Sequence, residues 1–170
     1  MTKKIFLLIS VLAAFLAGCG SGTDSTLPAS AQGLFEVTAV PAKSVFTRGE
    51  FVTVTFKVRN ISGNSVQCYQ IGGGAAANNF VVFQNGRQVG PPSGSGGTTL
   101  PLPGPFTFHA GDESSGDIGW DQQDVSGNQV GSGTYTLTFW YEPQMINGIS
   151  VSPAAAQAHL AAQPVTVTIQ

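Results

Sequence analysis

The chain has 170 residues, with 7 Lys+Arg, 9 Asp+Glu and 2 Cys, a length that fits one domain. Charged residues make up 9%, against about 25% in a typical soluble domain. No basic stripe is present to neutralise phosphates, which argues against nucleic acid as a partner. The alternation of Val, Ile, Phe and Tyr through much of the chain argues against overall disorder.

Lys3 and Lys4 form a positive start, and residues 5–16 are an apolar run broken only by Ser10. This is the layout of a secretory signal over residues 1–18, too short to span a bilayer, which needs about 20 residues. Leu16-Ala17-Gly18-Cys19 resembles a bacterial lipobox. The Cys19 thiol is expected to carry the acyl chains, with cleavage before it. Two or three acyl chains hold a protein firmly, each buried CH₂ contributing about 0.8 kcal/mol. The expectation is an exported protein anchored in the cell envelope. Gly20, where Asp often marks inner-membrane retention, points to the outer membrane in a cell with two membranes. Loss of Lys3 and Lys4 leaves five basic against nine acidic residues, a net charge of −4. Residues 19–33, from the lipidated cysteine through a Ser-, Thr-, Gly-, Ala- and Pro-rich stretch, read as a flexible tether.

The domain follows over 34–170. A short strand is expected at 34–40, closed by Pro41, and a turn at Arg48-Gly49-Glu50. Residues 51–60 give the clearest period of two. Val52, Val54, Phe56 and Val58 fall on one face, and Thr53, Thr55, Lys57 and Arg59 on the other, which is a half-buried antiparallel strand. A turn over 60–64 then leads to a return strand at 66–71. Cys68 alternates with Val66 there, and reads as a buried thiol that packs as a small hydrophobe. With Cys19 lipidated, it has no partner for an intramolecular disulfide.

Residues 72–79 read as a loop. Two strands at 80–84 and 87–89 flank Asn85-Gly86, a hairpin signal because a type I′ turn needs positive φ twice. The stretch 91–105 is Pro- and Gly-rich and reads as irregular. Strand alternation resumes at 106–109, a turn follows at 110–113, and 117–121 reads as a short strand ending near Trp120. A polar loop precedes the alternation of 135–141, which sets Tyr135, Leu137, Phe139 and Tyr141 on one face and Thr136, Thr138 and Trp140 on the other. Asn147-Gly148 marks another hairpin, 154–162 has room for one or two helical turns, and Val165, Val167 and Ile169 make the last strand. About eight short strands without a long amphipathic helix predict an all-β fold, an immunoglobulin-like antiparallel β-sandwich.

The stretch 119–138 carries Trp120, Asp121, Asp124, Gly127, Val130, Gly133 and Tyr135. Together with Gly49-Glu50 and the strand at 52–60, it resembles the signature of the BsuPI-type intracellular proteinase inhibitor family, whose domain is immunoglobulin-like. The immunoglobulin-like domain of flagellar hook-capping proteins carries a similar run. The resemblance implies a sandwich and, as a function, proteinase inhibition by protein–protein binding. The motif residues themselves suit fold-keeping: a Trp that plugs the sandwich, a Gly that permits a turn, and a Tyr that returns its hydroxyl to the backbone. The export signal departs from an intracellular inhibitor, as do the insert at 91–105 and the extended stretch from Glu142.

The chemistry of catalysis is sparse. Asp112, Glu113, Asp117, Asp121 and Asp124 put five carboxylates within thirteen residues, but without the spacing of a Ca²⁺ loop. They read as a solvated acidic stretch. His109 and His159 do not make a metal site alone, and no Gly-x-Ser-x-Gly elbow or phosphate-binding glycine loop is present. The expectation is a non-enzyme without metal or cofactor. Its partners are the membrane and either a protease or another envelope protein. Leu100, Pro101, Leu102 and Pro103 are the candidate inhibitory loop, because alternate prolines favour a stiff extended chain. The alternative is an immunoglobulin-like envelope module that binds or supports without inhibiting.

Overall fold

The computed structural model describes residues 25–70, 80–91 and 104–170. The signal, Cys19 and Gly20, the loop at 72–79, and Leu100, Pro101, Leu102 and Pro103 lie outside the described residues.

The chain is an antiparallel β-sandwich of immunoglobulin type. One layer has β1 (Phe35–Pro41), β3 (Val52–Asn60) and β8 (Glu113–Trp120) in the order β1-β3-β8. The other has β2 (Val45–Phe46), β12 (Val165–Ile169), β9 (Gly133–Phe139), β5 (Phe80–Gln84) and β6 (Arg87–Gly90), in the order β2-β12-β9-β5-β6. Seven of these eight answer to expected strands, β2 being the addition, and period two decides their inner faces. Val52, Val54, Phe56 and Val58 of β3 are buried, as are Tyr135, Leu137 and Phe139 of β9 and Val165, Val167 and Ile169 of β12. Phe139 joins the layers, with its ring 6.4 Å from Phe56 and stacked at 5.3 Å on Phe80. The hairpin at Asn85-Gly86 forms with φ of 52° and 76°, the values a I′ turn requires.

Four more strands make a third sheet, two of them over the stretches expected at 66–71 and 106–109. β4 (Val66–Gln70), β7 (Gly104–Phe108), β10 (Met145–Ile146) and β11 (Ile149–Ser150) form a sheet ordered β11-β10-β4-β7. The return strand expected at 66–71 is therefore corrected: β4 pairs with β7 and β10, not with β3. The cause is a corner at Asn60, which is 1% exposed. Its Nδ2 donates to the carbonyls of Asn64, Phe108 and His109, while its Oδ1 accepts from the Ser62 N–H and hydroxyl. The β3–β8 ribbon thus bends and continues as β4–β7. Pairing also sets β8 at Glu113–Trp120, longer than the expected 117–121, since every residue from Arg59 back to Val52 faces one of its own. Likewise β7 begins at Gly104, within the stretch read as irregular.

The long connection from β9 to β12 makes the β10–β11 hairpin, turned at Asn147-Gly148 with φ of 49° and 79°, and the helix α1 (Pro153–His159). Ser152 caps α1, its hydroxyl accepting from the Ala155 N–H at 3.1 Å. This connection buries Trp140 to 7%, against its expected outward face. Trp140 makes an isolated bridge with Ala161 and its Nε1 donates to Glu142 at 2.7 Å. A second aromatic cluster of Phe35, Phe108 and Tyr141 fills this end, in edge-on contacts of 5.3–6.3 Å. Residues 25–33 also differ from the expected flexible tether. Leu27 and Ala31 are 2% and 0% exposed, Ala29–Ala31 is a short 3₁₀ turn, and the Ser25 carbonyl meets His159 Nε2 at 3.0 Å.

Candidate functional site

The motif residues of 119–138 gather at one end of the sandwich, where β8 crosses to β9. Trp120 ends β8 facing the core, 1% exposed, edge-on to Tyr135 at 5.3 Å. Its Nε1 donates to the Gln123 carbonyl at 3.0 Å. Tyr135 donates its hydroxyl to the Gly131 carbonyl four residues upstream, at 2.7 Å, which is the tyrosine-corner bond. Burial pushes the Tyr135 hydroxyl up, with the Gln84 amide and Arg48 partly offsetting it.

The polar motif residues shape the loop between them. Asp121 accepts from the Gln123 N–H at 3.1 Å. Asp124 accepts from the N–H groups of Ser126 and Asn128 at 2.8 and 2.9 Å. These N–H groups, Asn128 first, hold the Asp124 carboxyl below the usual carboxylate range. Gly127 sits at φ 82°, and its N–H donates to the Asp124 carbonyl at 2.9 Å. Val130 is 8% exposed and donates its N–H to the Gln122 carbonyl. Gly133 has φ 153°, and a Cβ there would lie 2.6 Å from Gln84 Nε2. Only a residue without a side chain suits both conditions.

Gln122 was not marked by any pattern in the sequence, yet it anchors this end. It is 0% exposed with φ 59°, a conformation uncommon outside glycine. Its Nε2 donates to the carbonyls of Thr47 and Glu50 at 2.8 and 2.7 Å. Its Oε1 accepts from Gly49 N–H at 2.8 Å and Gln129 Nε2 at 3.2 Å. The amide thereby ties the β2–β3 turn to the β8–β9 loop. A glutamine following Trp-Asp is the only trace it leaves in sequence.

The acidic stretch does not converge. Asp112 accepts from His109 N–H at 2.7 Å, Glu113 meets Lys57 at 3.1 Å, and Asp117 accepts from the Thr55 hydroxyl at 2.8 Å. Among the described residues no group of three or more His, Cys, Asp or Glu could hold a metal ion. Cys68 is buried at 2% exposure, a free thiol. Burial pushes its pKa up, which the neighbouring Tyr141 hydroxyl partly offsets. Neither His109 nor His159 bonds to it: they contact Ser65 and the Ser25 carbonyl.

The same end holds a groove of about 560 Å³ between the β5–β6 turn and the β8–β9 loop. The turn side contributes Gln84, Asn85, Arg87 and Val89, and the loop side Asp124, Val125 and Ser126. The two sides are joined by Val125 N–H donating to the Val89 carbonyl at 2.9 Å. The sequence marked Asp124 and the Asn-Gly turn but not Arg87 or Val125, because only the packing of two distant loops brings them together.

No protein-family model matches the sequence, and no curated protein matches it. Solved structures of similar shape include the CARDB domain of PF1109 from Pyrococcus furiosus, in complex with di-metal ions. It is 11% identical, with 82% of this chain and 91% of that chain covered and a TM-score of 0.37. The sporulation control protein Spo0M from Bacillus subtilis is 12% identical over 81% of this chain and 50% of that one, with a TM-score of 0.42. The alkylpurine DNA glycosylase AlkC of Pseudomonas fluorescens, bound to DNA containing an abasic site analog, is 9% identical over 81% of this chain, with a TM-score of 0.41. This chain spans 30% of that glycosylase's length. At such identities and TM-scores, none of them assigns an activity to this chain.

Proposed function

We propose that the chain is a lipid-anchored protein of the bacterial cell envelope whose immunoglobulin-like domain works by binding another protein. Proteinase inhibition is the form of binding that the BsuPI-type resemblance brings forward. The observation that supports a binding module is the employment of the motif residues. Trp120, Asp121, Asp124, Gly127, Val130, Gly133 and Tyr135 all serve to hold one loop and its flanking strands. Recognition is then left to exposed loops on a rigid frame, the usual division of labour in a sandwich. In this reading the chain is a non-enzyme, needs no cofactor, and reaches its partner from the membrane through the acyl chains on Cys19.

The test titrates the full chain, in detergent, against a panel of serine proteases that includes subtilisin-like ones. Tight stoichiometric inhibition that is lost on deleting 100–105 supports the inhibitor reading and its candidate loop. Inhibition across none of the panel overturns it and leaves the non-inhibitory envelope module, checked by crosslinking in intact cells. Anchoring is read separately. Cys19→Ser is expected to abolish acyl labelling and move the protein out of the membrane fraction. Unchanged fractionation and labelling sink the lipid anchor.

A further inference from the structure

We infer that the groove between the β5–β6 turn and the β8–β9 loop binds the carboxy-terminal residue of a partner polypeptide, its carboxylate on Arg87 and its side chain between Val89 and Val125. The inference rests on the protein-binding reading above and gives it a partner chemistry.

The volume of about 560 Å³ lies within the roughly 300–1,000 Å³ of ordinary ligand sites. Both walls are pre-formed. The turn is a tight hairpin, and the loop is locked by the N–H groups that Asp124 gathers and by the bond from Val125 to Val89. Little ordering entropy is therefore lost on binding. Among the described residues Arg87 makes no ion pair or hydrogen bond through its side chain. A guanidinium presents a planar fork of donors that a carboxylate matches with two bonds.

The other wall limits the ligand to one negative charge. Oδ1 of Asp124 takes the loop N–H groups. The carboxylate also takes the Asn128 side chain, and its negative charge repels a run of acids. A chain terminus, with a single carboxylate beside one side chain, meets this limit. Val125 is 56% exposed and, with Val89, offers an apolar wall to a short aliphatic side chain. The Ser126 hydroxyl and the Asn85 amide complete the rim.

The test uses the isotope-labelled full chain and the tetrapeptide acetyl-Gly-Ser-Ala-Val with a free carboxyl end, followed by NMR. The expected result is saturable shifts at the Arg87 side chain and the Val125 and Ser126 amides. Affinity should fall at least about tenfold for the carboxyl-amidated peptide and for Arg87→Ala, the loss of a charge-assisted pair. Val125→Asp, on an exposed side chain, should weaken it as well. Equal binding of the amidated peptide, or no shift in the groove at millimolar peptide, overturns the site. Free valine binding as tightly as the peptide overturns the polypeptide source. Protease inhibition or envelope capture that Arg87→Ala leaves intact would retain the protein-binding reading while this groove assignment falls.

Discussion

Gln122 and Tyr141 are both buried polar side chains, and they stand at opposite ends of the hydrogen-bond balance. The Gln122 amide has four partners on two loops. The Tyr141 hydroxyl, at 2% exposure, lies beside the Cys68 thiol but has no group in hydrogen-bonding geometry among the described residues. Removing one side of a buried bond leaves the other side desolvated and unpaired, at about 1–3 kcal/mol each. Gln122→Ala is therefore expected to destabilise the fold by about 3 kcal/mol, read as the midpoint shift in urea denaturation. Tyr141→Phe removes a group that gains nothing from burial. It should leave the midpoint unchanged or raise it, and a loss as large as that of Gln122→Ala would show that the hydroxyl is bonded in solution. Neither role is visible in sequence. A glutamine in a polar stretch and a tyrosine at an alternating position carry no mark of how many partners the fold will bring.

At the scale of the element, the hairpins and the period-two strands were legible because their causes are local. Asn-Gly demands positive φ, and alternation matches the pleat. The edges of elements were less legible. β8 extends over Ser114, Ser115 and Gly116, poor strand formers, because β3 supplies a partner for each. The bend after β3 depends on carbonyls of Phe108 and His109, nearly fifty residues away. Contact between elements also governs one glycine. A Cβ on Gly90, at the end of β6, would lie 2.7 Å from the Gln123 carbonyl and 3.3 Å from the Trp120 ring nitrogen. Gly90→Ala is expected to cost about 1–3 kcal/mol by overpacking. It should also shift the near-ultraviolet circular dichroism of Trp120, whereas Gly116→Ala, with open space at its Cβ, should do neither.

For the whole molecule, stability has two pH limbs. Asp124, held low by loop N–H groups, and Glu50, held low by Lys43 and the Thr47 N–H, bind protons less readily folded than unfolded. Their stabilisation is present above the ordinary carboxylate range, about 4, and is lost as pH falls through their folded values. Cys68, Tyr135 and Tyr141 are shifted upward by burial, Tyr141 far above its ordinary range with Cys68 adding to the effect. Their stabilisation is complete below the unfolded values, about 8.5 for the thiol and 10 for the hydroxyls, and declines as pH rises beyond them. Urea midpoints should form a plateau between about pH 5 and 8 and fall on both sides. Asp124→Asn should flatten the acid limb and Tyr141→Phe the alkaline one. A midpoint that rises on acidification from about pH 5 to 3 would contradict the first assignment.

Sequence by itself determined the all-β class, the alternation that assigns inner and outer faces, and the two Asn-Gly turns, because each follows from neighbours along the chain. It also marked Trp120, Gly133 and Tyr135 as residues that keep the fold, through their resemblance to a known motif. Tertiary structure alone decided the rest. It made a corner, not a hairpin, of Asn60, packed Leu27 and Ala31 where a tether was read, and covered Trp140 with the connection around α1. It also set Arg87 across a groove from Asp124. These outcomes depend on which distant backbone groups and side chains share a space, and that information resides in no single stretch of sequence.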